Sequence, residues 1–88
     1  MFFVYVLYSE KTKLHYVGFT THLVQRLGQH NLGITKSTKG RGPWTLVHQE
    51  QFATRAEAMR RERHLKTGRG REELKQILAP RDSVADAG

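Results

Sequence analysis

The chain has 88 residues, enough for one domain around one small core and too few for two. It contains no cysteine, which excludes a disulfide framework and a thiolate zinc site. Its 15 Lys and Arg outnumber 8 Asp and Glu, and the resulting charge of +7 points to a polyanionic partner, nucleic acid first. No long apolar run or basic-aromatic amphipathic segment argues for a membrane. Met1 to Tyr8 lacks the charged start and cleavage site of a signal peptide, so a cytoplasmic location is expected.

Phe2 to Tyr8 is a continuous apolar and aromatic run, which predicts a strand buried on both faces. Ser9 to Lys13 is polar and serves as a hairpin turn. Leu14 to Phe19 reads as a second strand, antiparallel to the first because the connection is short. Thr20 or Thr21 is placed to N-cap a helix from about His22 to Asn31. Leu23 and Leu27 form its core stripe, Arg26 and His30 lie together beside it, and Gly33 is a stop signal. Thr35 to Gly42 has no apolar residue beyond its glycines and carries Lys36, Lys39 and Arg41, which predicts a mobile basic loop. Trp44 to Phe52 reads as a third strand.

Thr54-Arg55-Ala56-Glu57 fits a capping box that opens a second helix running to about Lys66. Gly68 and Gly70 are expected to break the chain, and Arg71 to Leu78 to form a short third helix. The polar stretch Arg81 to Gly88 is expected to be disordered, leaving one domain over residues 1–79 and a tail over 80–88. The order β-β-α-β-α-α indicates an α+β fold, a small three-stranded and largely antiparallel sheet with helices packed against it.

Glu62 is the most telling position. It shares a helix face with Ala58 and Leu65, with Met59 beside them, and a carboxylate in an apolar stripe needs compensation. A salt bridge to a nearby arginine would supply it. So would one divalent metal, and Mg²⁺ suits a lone carboxylate because it keeps its waters and takes substrate phosphate. Tyr5 and Tyr16 are ordinary strand residues taken singly, and a phenol with a pKa of about 10 is a poor base at neutral pH. Arg26 has the planar fork that holds a phosphate. The cations Arg60, Arg61, Arg63 and Lys66, with Lys36, Lys39 and Arg41, offer a surface to track a phosphate backbone.

Taken in order, Phe3-Val4-Tyr5, Tyr16-Val17-Gly18, Arg26, His30 and Glu62 resemble the GIY-YIG nuclease superfamily over roughly Phe2 to Leu78. The segment Tyr16 to Thr20 leading into Leu23 to Leu27 fits the family pattern closely. Ala58 to Glu62 looks like the helix that supplies its single metal-binding glutamate. Leu65 to Leu74 is similar to the small stand-alone bacterial members, which are akin to the catalytic domain of the family's excision-repair endonuclease. Phe3 stands where the family has glycine, and Val4 where it has isoleucine.

The resemblance implies a metal-dependent endonuclease, with DNA ahead of RNA as substrate and a role in DNA repair. Glu62 would hold one Mg²⁺ or Mn²⁺, and Arg26 would stabilise the transition state. Tyr5, Tyr16 and His30 would position or deprotonate water, and the sequence leaves open which of them is the base. No appended DNA-binding domain is evident, so a homodimer or a protein partner would supply specificity. The alternative reading is a non-catalytic nucleic-acid-binding module that keeps the fold.

Overall fold

The computed structural model describes residues 1–79, so the tail over 80–88 lies outside the described residues. The elements are β1 (Phe2–Ser9), β2 (Leu14–Thr20), α1 (Leu23–Asn31), β3 (Trp44–Phe52), α2 (Arg55–Leu65) and α3 (Gly68–Ile77). The expected α+β order is the observed one. The sheet runs β2-β1-β3, and β1 pairs antiparallel with both neighbours. That central place explains the unbroken apolar run of β1, since each of its faces is covered.

Side chains alternate across a strand, and β1 divides two clusters accordingly. Val4 and Val6, with Val17 of β2, pack under Ala58, Leu65 and Leu74 of α2 and α3. Tyr5, Leu7 and Trp44 face the other way and meet Tyr16, Leu23, Leu27 and Leu46. Each fully buried side chain of this size contributes about 1.5–3 kcal/mol of transfer free energy. Alternation also puts Phe3 on the face of Tyr5, where it is half-buried and paired with Thr20 and Gln51.

Helix boundaries follow local chemistry with two departures from expectation. Helix α2 opens on the Thr54–Glu57 capping box. Helix α1 instead takes His22 as its N-cap, with no side-chain cap bond, while the Thr20 hydroxyl accepts the His22 N–H at 3.1 Å. Its far end is a Schellman turn. Gly33 adopts a φ of +76°, and the N–H groups of Gly33 and Ile34 donate back to His30 and Gln29 at 3.2 and 3.1 Å.

The second departure is α3, which begins at Gly68 rather than Arg71. Thr67 caps it by accepting the Gly70 N–H at 3.1 Å. The two glycines therefore sit inside its first turn. Gly70 is there because α2 and α3 touch: a Cβ on it would lie 1.9 Å from the His64 carbonyl oxygen and 2.5 Å from Leu65 Cα.

Residues 35–42 are also not the free loop that composition predicts. Thr38 is buried, and its carbonyl accepts the Trp44 indole N–H at 3.3 Å. The Ser9 hydroxyl donates to the Arg41 carbonyl at 2.5 Å and Lys11 to the Gly40 carbonyl at 3.1 Å. Polar residues look mobile in sequence; here their backbone carbonyls are what the neighbouring turn holds.

Gly70→Ala should therefore destabilise strongly, because the clashing atoms are backbone and cannot turn aside. The expected loss is about 3 kcal/mol, a fall in Tm of roughly 12 °C or more in a domain of this size. Gly28→Ala, mid-helix in α1 with open space around it, should instead gain up to about 1 kcal/mol. Thermal melts followed by circular dichroism distinguish the two, and an unchanged melt for Gly70→Ala would refute the close approach.

Candidate active site

Tyr5 is paired across the sheet with Gly18. A Cβ at Gly18 would stand 2.6 Å from the Tyr5 hydroxyl and 3.0 Å from the Tyr16 ring. The missing side chain is thus the space in which the Tyr5 ring lies. From there Tyr5 Oη meets His30 Nε2 at 2.9 Å, and His30 Nδ1 meets Thr38 Oγ1 at 2.7 Å. Thr38 Oγ1 lies 3.4 Å from the Thr35 carbonyl, which can only accept. With Thr38 donating to Thr35, the chain runs from His30 Nδ1–H to Thr38 and from Tyr5 Oη–H to His30 Nε2.

Burial supports this proton arrangement. Tyr5 and His30 are each only 1% exposed. Desolvation raises the Tyr5 phenol above its ordinary value, with Arg26 pulling the other way. Desolvation lowers the His30 pKa, and the positive charge of Arg26 lowers it further. A protonated phenol therefore faces a neutral imidazole.

Tyr16, from β2, is half-buried and stacks near both. Its ring centroid is 5.0 Å from that of His30 and 6.3 Å from that of Tyr5. Lys66, at the end of α2, sets its ammonium 5.9 Å from the Tyr16 ring centroid and 3.4 Å from Glu62 Oε2. The Glu62 side chain retains 19% exposure, and its charge is felt at the Tyr5 phenol. Arg26 is half-buried, donates to Gln29 Oε1 at 3.0 Å, and lines a small cavity of about 280 Å³ with Thr20 and Gln25. Thus β1, β2, α1 and α2 each bring a polar side chain to one locality, with Tyr16, Arg26 and Glu62 toward solvent and Tyr5 and His30 behind them.

The basic residues divide. Lys36, Lys39 and Arg41 are exposed on the loop whose Thr38 touches His30, and Arg60 and Arg63 are exposed on α2. Arg61 is differently engaged. It donates to both oxygens of Glu50 at 2.8 and 3.0 Å and pairs with Glu73 of α3. Those two acceptors raise the Arg61 pKa, while Arg61 and His48 hold the Glu50 carboxyl below the usual range against its burial. Arg61 is a tie between β3, α2 and α3, unlike its neighbours Arg60 and Arg63.

Thr38 is the site residue that sequence reasoning missed. A threonine among lysines and glycines carries no local signal, and only its contact across the fold with His30 identifies it.

Among the described residues no three His, Asp or Glu side chains gather around a common point for a metal. The donor set beside the tyrosines is the single carboxylate of Glu62. One hard oxygen ligand, partly exposed and countered by an ammonium rather than fixed in a tight ion pair, fits an ion that keeps most of its waters and shares a phosphate.

A family model described as the GIY-YIG catalytic domain matches residues 1–75, and the chain belongs to this family of nucleases. Its relatives include small proteins of the UPF0213 group. The chain is 42% identical to UPF0213 protein SH2523 of Staphylococcus haemolyticus over 85% of its own length and 92% of that protein. It is 47% identical to UPF0213 protein VNG_2274C of Halobacterium salinarum over 59% of its length and 69% of that protein. The solution NMR structure of UPF0213 protein BH0048 from Bacillus halodurans superposes with a TM-score of 0.54 at 36% identity, covering 88% of this chain and 85% of that one.

Two outcomes follow from the Tyr5–His30–Thr38 chain. Thr38→Val leaves a buried imidazole N–H without an acceptor, so it should cost about 1–3 kcal/mol of stability, and Thr38→Ser should restore most of it. Chemical denaturation measures both, and equal loss in the two variants would remove the hydroxyl from the argument.

Acidification tests His30 itself. Its folded pKa lies below the ordinary 6.5, so the unfolded chain takes up the proton first. Its contribution to stability is full above about pH 6.5 and is lost as pH falls through the folded pKa. Wild type should therefore lose more stability than His30→Gln between about pH 7.5 and 5.5; parallel curves would contradict the assignment.

Proposed function

We propose that this protein is a metal-dependent endonuclease that hydrolyses phosphodiester bonds in nucleic acid, DNA ahead of RNA. The observation that carries the reading is the meeting of Tyr5, Tyr16, Arg26, His30 and Glu62 from four separate elements in a member of a nuclease family. A binding surface needs cations; it has no use for a buried phenol aimed at a neutral imidazole.

Glu62 would hold one Mg²⁺ or Mn²⁺, which when bound supplies positive charge to the phosphate and the leaving oxygen. Arg26 binds the scissile phosphate through its guanidinium fork and gains strength as charge builds in the transition state. Tyr16, the more accessible phenol, orients the attacking water. The proton released by that water passes to Tyr5 Oη as the Tyr5 proton moves to His30 Nε2. His30 becomes imidazolium, with Nδ1–H still on Thr38, and no free phenolate is formed. Burial that keeps His30 neutral at rest keeps this acceptor open. Lys36, Lys39, Arg41, Arg60, Arg63 and Lys66 track the backbone without reading bases, and a second copy or a protein partner supplies specificity. Lys66 also screens Glu62 until substrate arrives.

Glu62→Gln should abolish cleavage, by a thousandfold or more, and leave the fold intact, since the partner it loses is an exposed ammonium. Arg26→Ala should lower the single-turnover rate far more than affinity, and Arg26→Lys should recover only part of it. The assay is strand cleavage with Mg²⁺ or Mn²⁺ added to preformed complexes, using protein free of other nucleases. Tight binding with no cut strands in either metal would replace this reading by the non-catalytic binding module.

A further inference from the structure

A groove of about 780 Å³ lies between the edge strand β2 and the helices α2 and α3. Its lining is largely apolar, with exposed surface from Leu14, Tyr16 and Leu78 around the buried Val17, Leu65 and Leu74. Lys13, Lys66, Arg71 and Lys75 stand among its walls, and no carboxylate of the described residues lines it. Three of these cations have partners outside the groove: Lys13 with Glu10 at 3.0 Å, Lys66 with Glu62 at 3.4 Å and Lys75 with Glu72 at 3.3 Å. Pairs this exposed are weak and readily exchanged for a phosphate. Arg71 has no carboxylate partner among the described residues.

The groove is continuous with the candidate site, because Tyr16 and Lys66 belong to both. Its chemistry is two-part, an apolar lining with cations around it. A continuous duplex presents phosphates, sugars and base edges but keeps its base faces stacked inside, and so has no flat apolar group to set against this lining. A segment of unpaired nucleotides presents base faces and phosphates together. An acidic peptide matches the cations but carries no flat apolar groups for the lining.

From this juxtaposition we infer that the groove seats unpaired nucleotides next to the cleaved bond, so that the substrate is nucleic acid with a single-stranded segment. The inference rests on the nuclease reading and narrows its substrate class. Bases lie against Leu14 and Leu78, the backbone follows Arg71 and Lys75, and the phosphate that reaches Lys66 stands beside Tyr16 and Glu62. These leucines carry no hydrogen-bonding side-chain groups, so what they select is unpaired structure and not base identity.

The test separates binding from cleavage. Affinities of the full chain for a single strand and for a blunt duplex of the same sequence are measured by fluorescence anisotropy with the metal chelated. The doubly substituted Arg71→Glu, Lys75→Glu protein is compared with Lys36→Glu, Lys39→Glu, which makes the same charge change on the 35–42 loop. The groove variant should lose about tenfold more affinity for the single strand than for the duplex. The loop variant should lose the same factor on both. Equal single-strand to duplex ratios in the two variants would overturn the proposal. So would unchanged binding of both oligonucleotides with loss of polyglutamate binding, which would make the groove a peptide site. Absence of metal-dependent cleavage bears on the nuclease reading alone, because these ratios are obtained without it.

Discussion

The contact on which the site depends is that of the Tyr5 ring with the backbone of Gly18. A central strand is an awkward place for a reactive group, since neighbours enclose it on both sides. The absent side chain on β2 solves this. It lets Tyr5 lean across the neighbouring strand until its hydroxyl reaches His30, and it leaves Tyr16 standing alongside. Any Cβ at position 18 would press on a ring already fixed at its far end by a hydrogen bond, so the obstruction could not be relieved by a rotamer change. The second triplet of the motif thus owes its glycine to the tyrosine of the first. The substitution at Phe3, by contrast, falls at the start of β1 where the residue is only half-buried, away from the Gly18 gap.

A second constraint works at the opposite face. Helices α2 and α3 are short, and their apolar contact with the sheet is a small cluster. The Glu50–Arg61–Glu73 network, extended by His48 and His64, binds both helices to β3 through charge-assisted bonds. Partial exposure limits what such a network contributes to stability. Its geometric effect is larger, because it sets the rotation of α2 about its axis. That rotation turns Glu62 and Lys66 toward the tyrosines and leaves Arg60 and Arg63 to solvent. One arginine of the four on this helix is therefore architectural, and the fold recruits it from a cluster whose sequence gives no hint of the division.

What was legible in the sequence follows the range of the interactions involved. The strands and α2 are set by local pattern, an apolar run, a short polar turn and a capping box, and these were readable at nearly their observed bounds. The candidate residues Tyr5, Tyr16, Arg26, His30 and Glu62 were readable as an ordered motif, and the structure brings them into one locality. The start of α3 was not readable. Glycines weaken a helix taken alone, and Gly70 is present because another helix passes within backbone distance. The 35–42 loop failed for the same reason: its composition describes side chains, while its anchors are carbonyls and one buried hydroxyl. Arg61 and Thr38 differ from their neighbours only in what lies across the fold.

The Asn31 side chain embraces the backbone of Trp44, donating to its carbonyl at 3.1 Å and accepting its N–H at 2.5 Å. The last residue of α1 and the first of β3 are therefore stitched together directly, and the intervening chain is a closed hoop. Closure entropy grows only slowly with loop length, so a longer or shorter hoop would leave the helix where it is. Only the spacing from Asn31 to Thr38 is counted by the site. The arc from Lys39 to Pro43 is tied a second time, where Lys11 and Ser9 hold the Gly40 and Arg41 carbonyls, so the hoop is pinned to the β1–β2 turn as well as to its own ends.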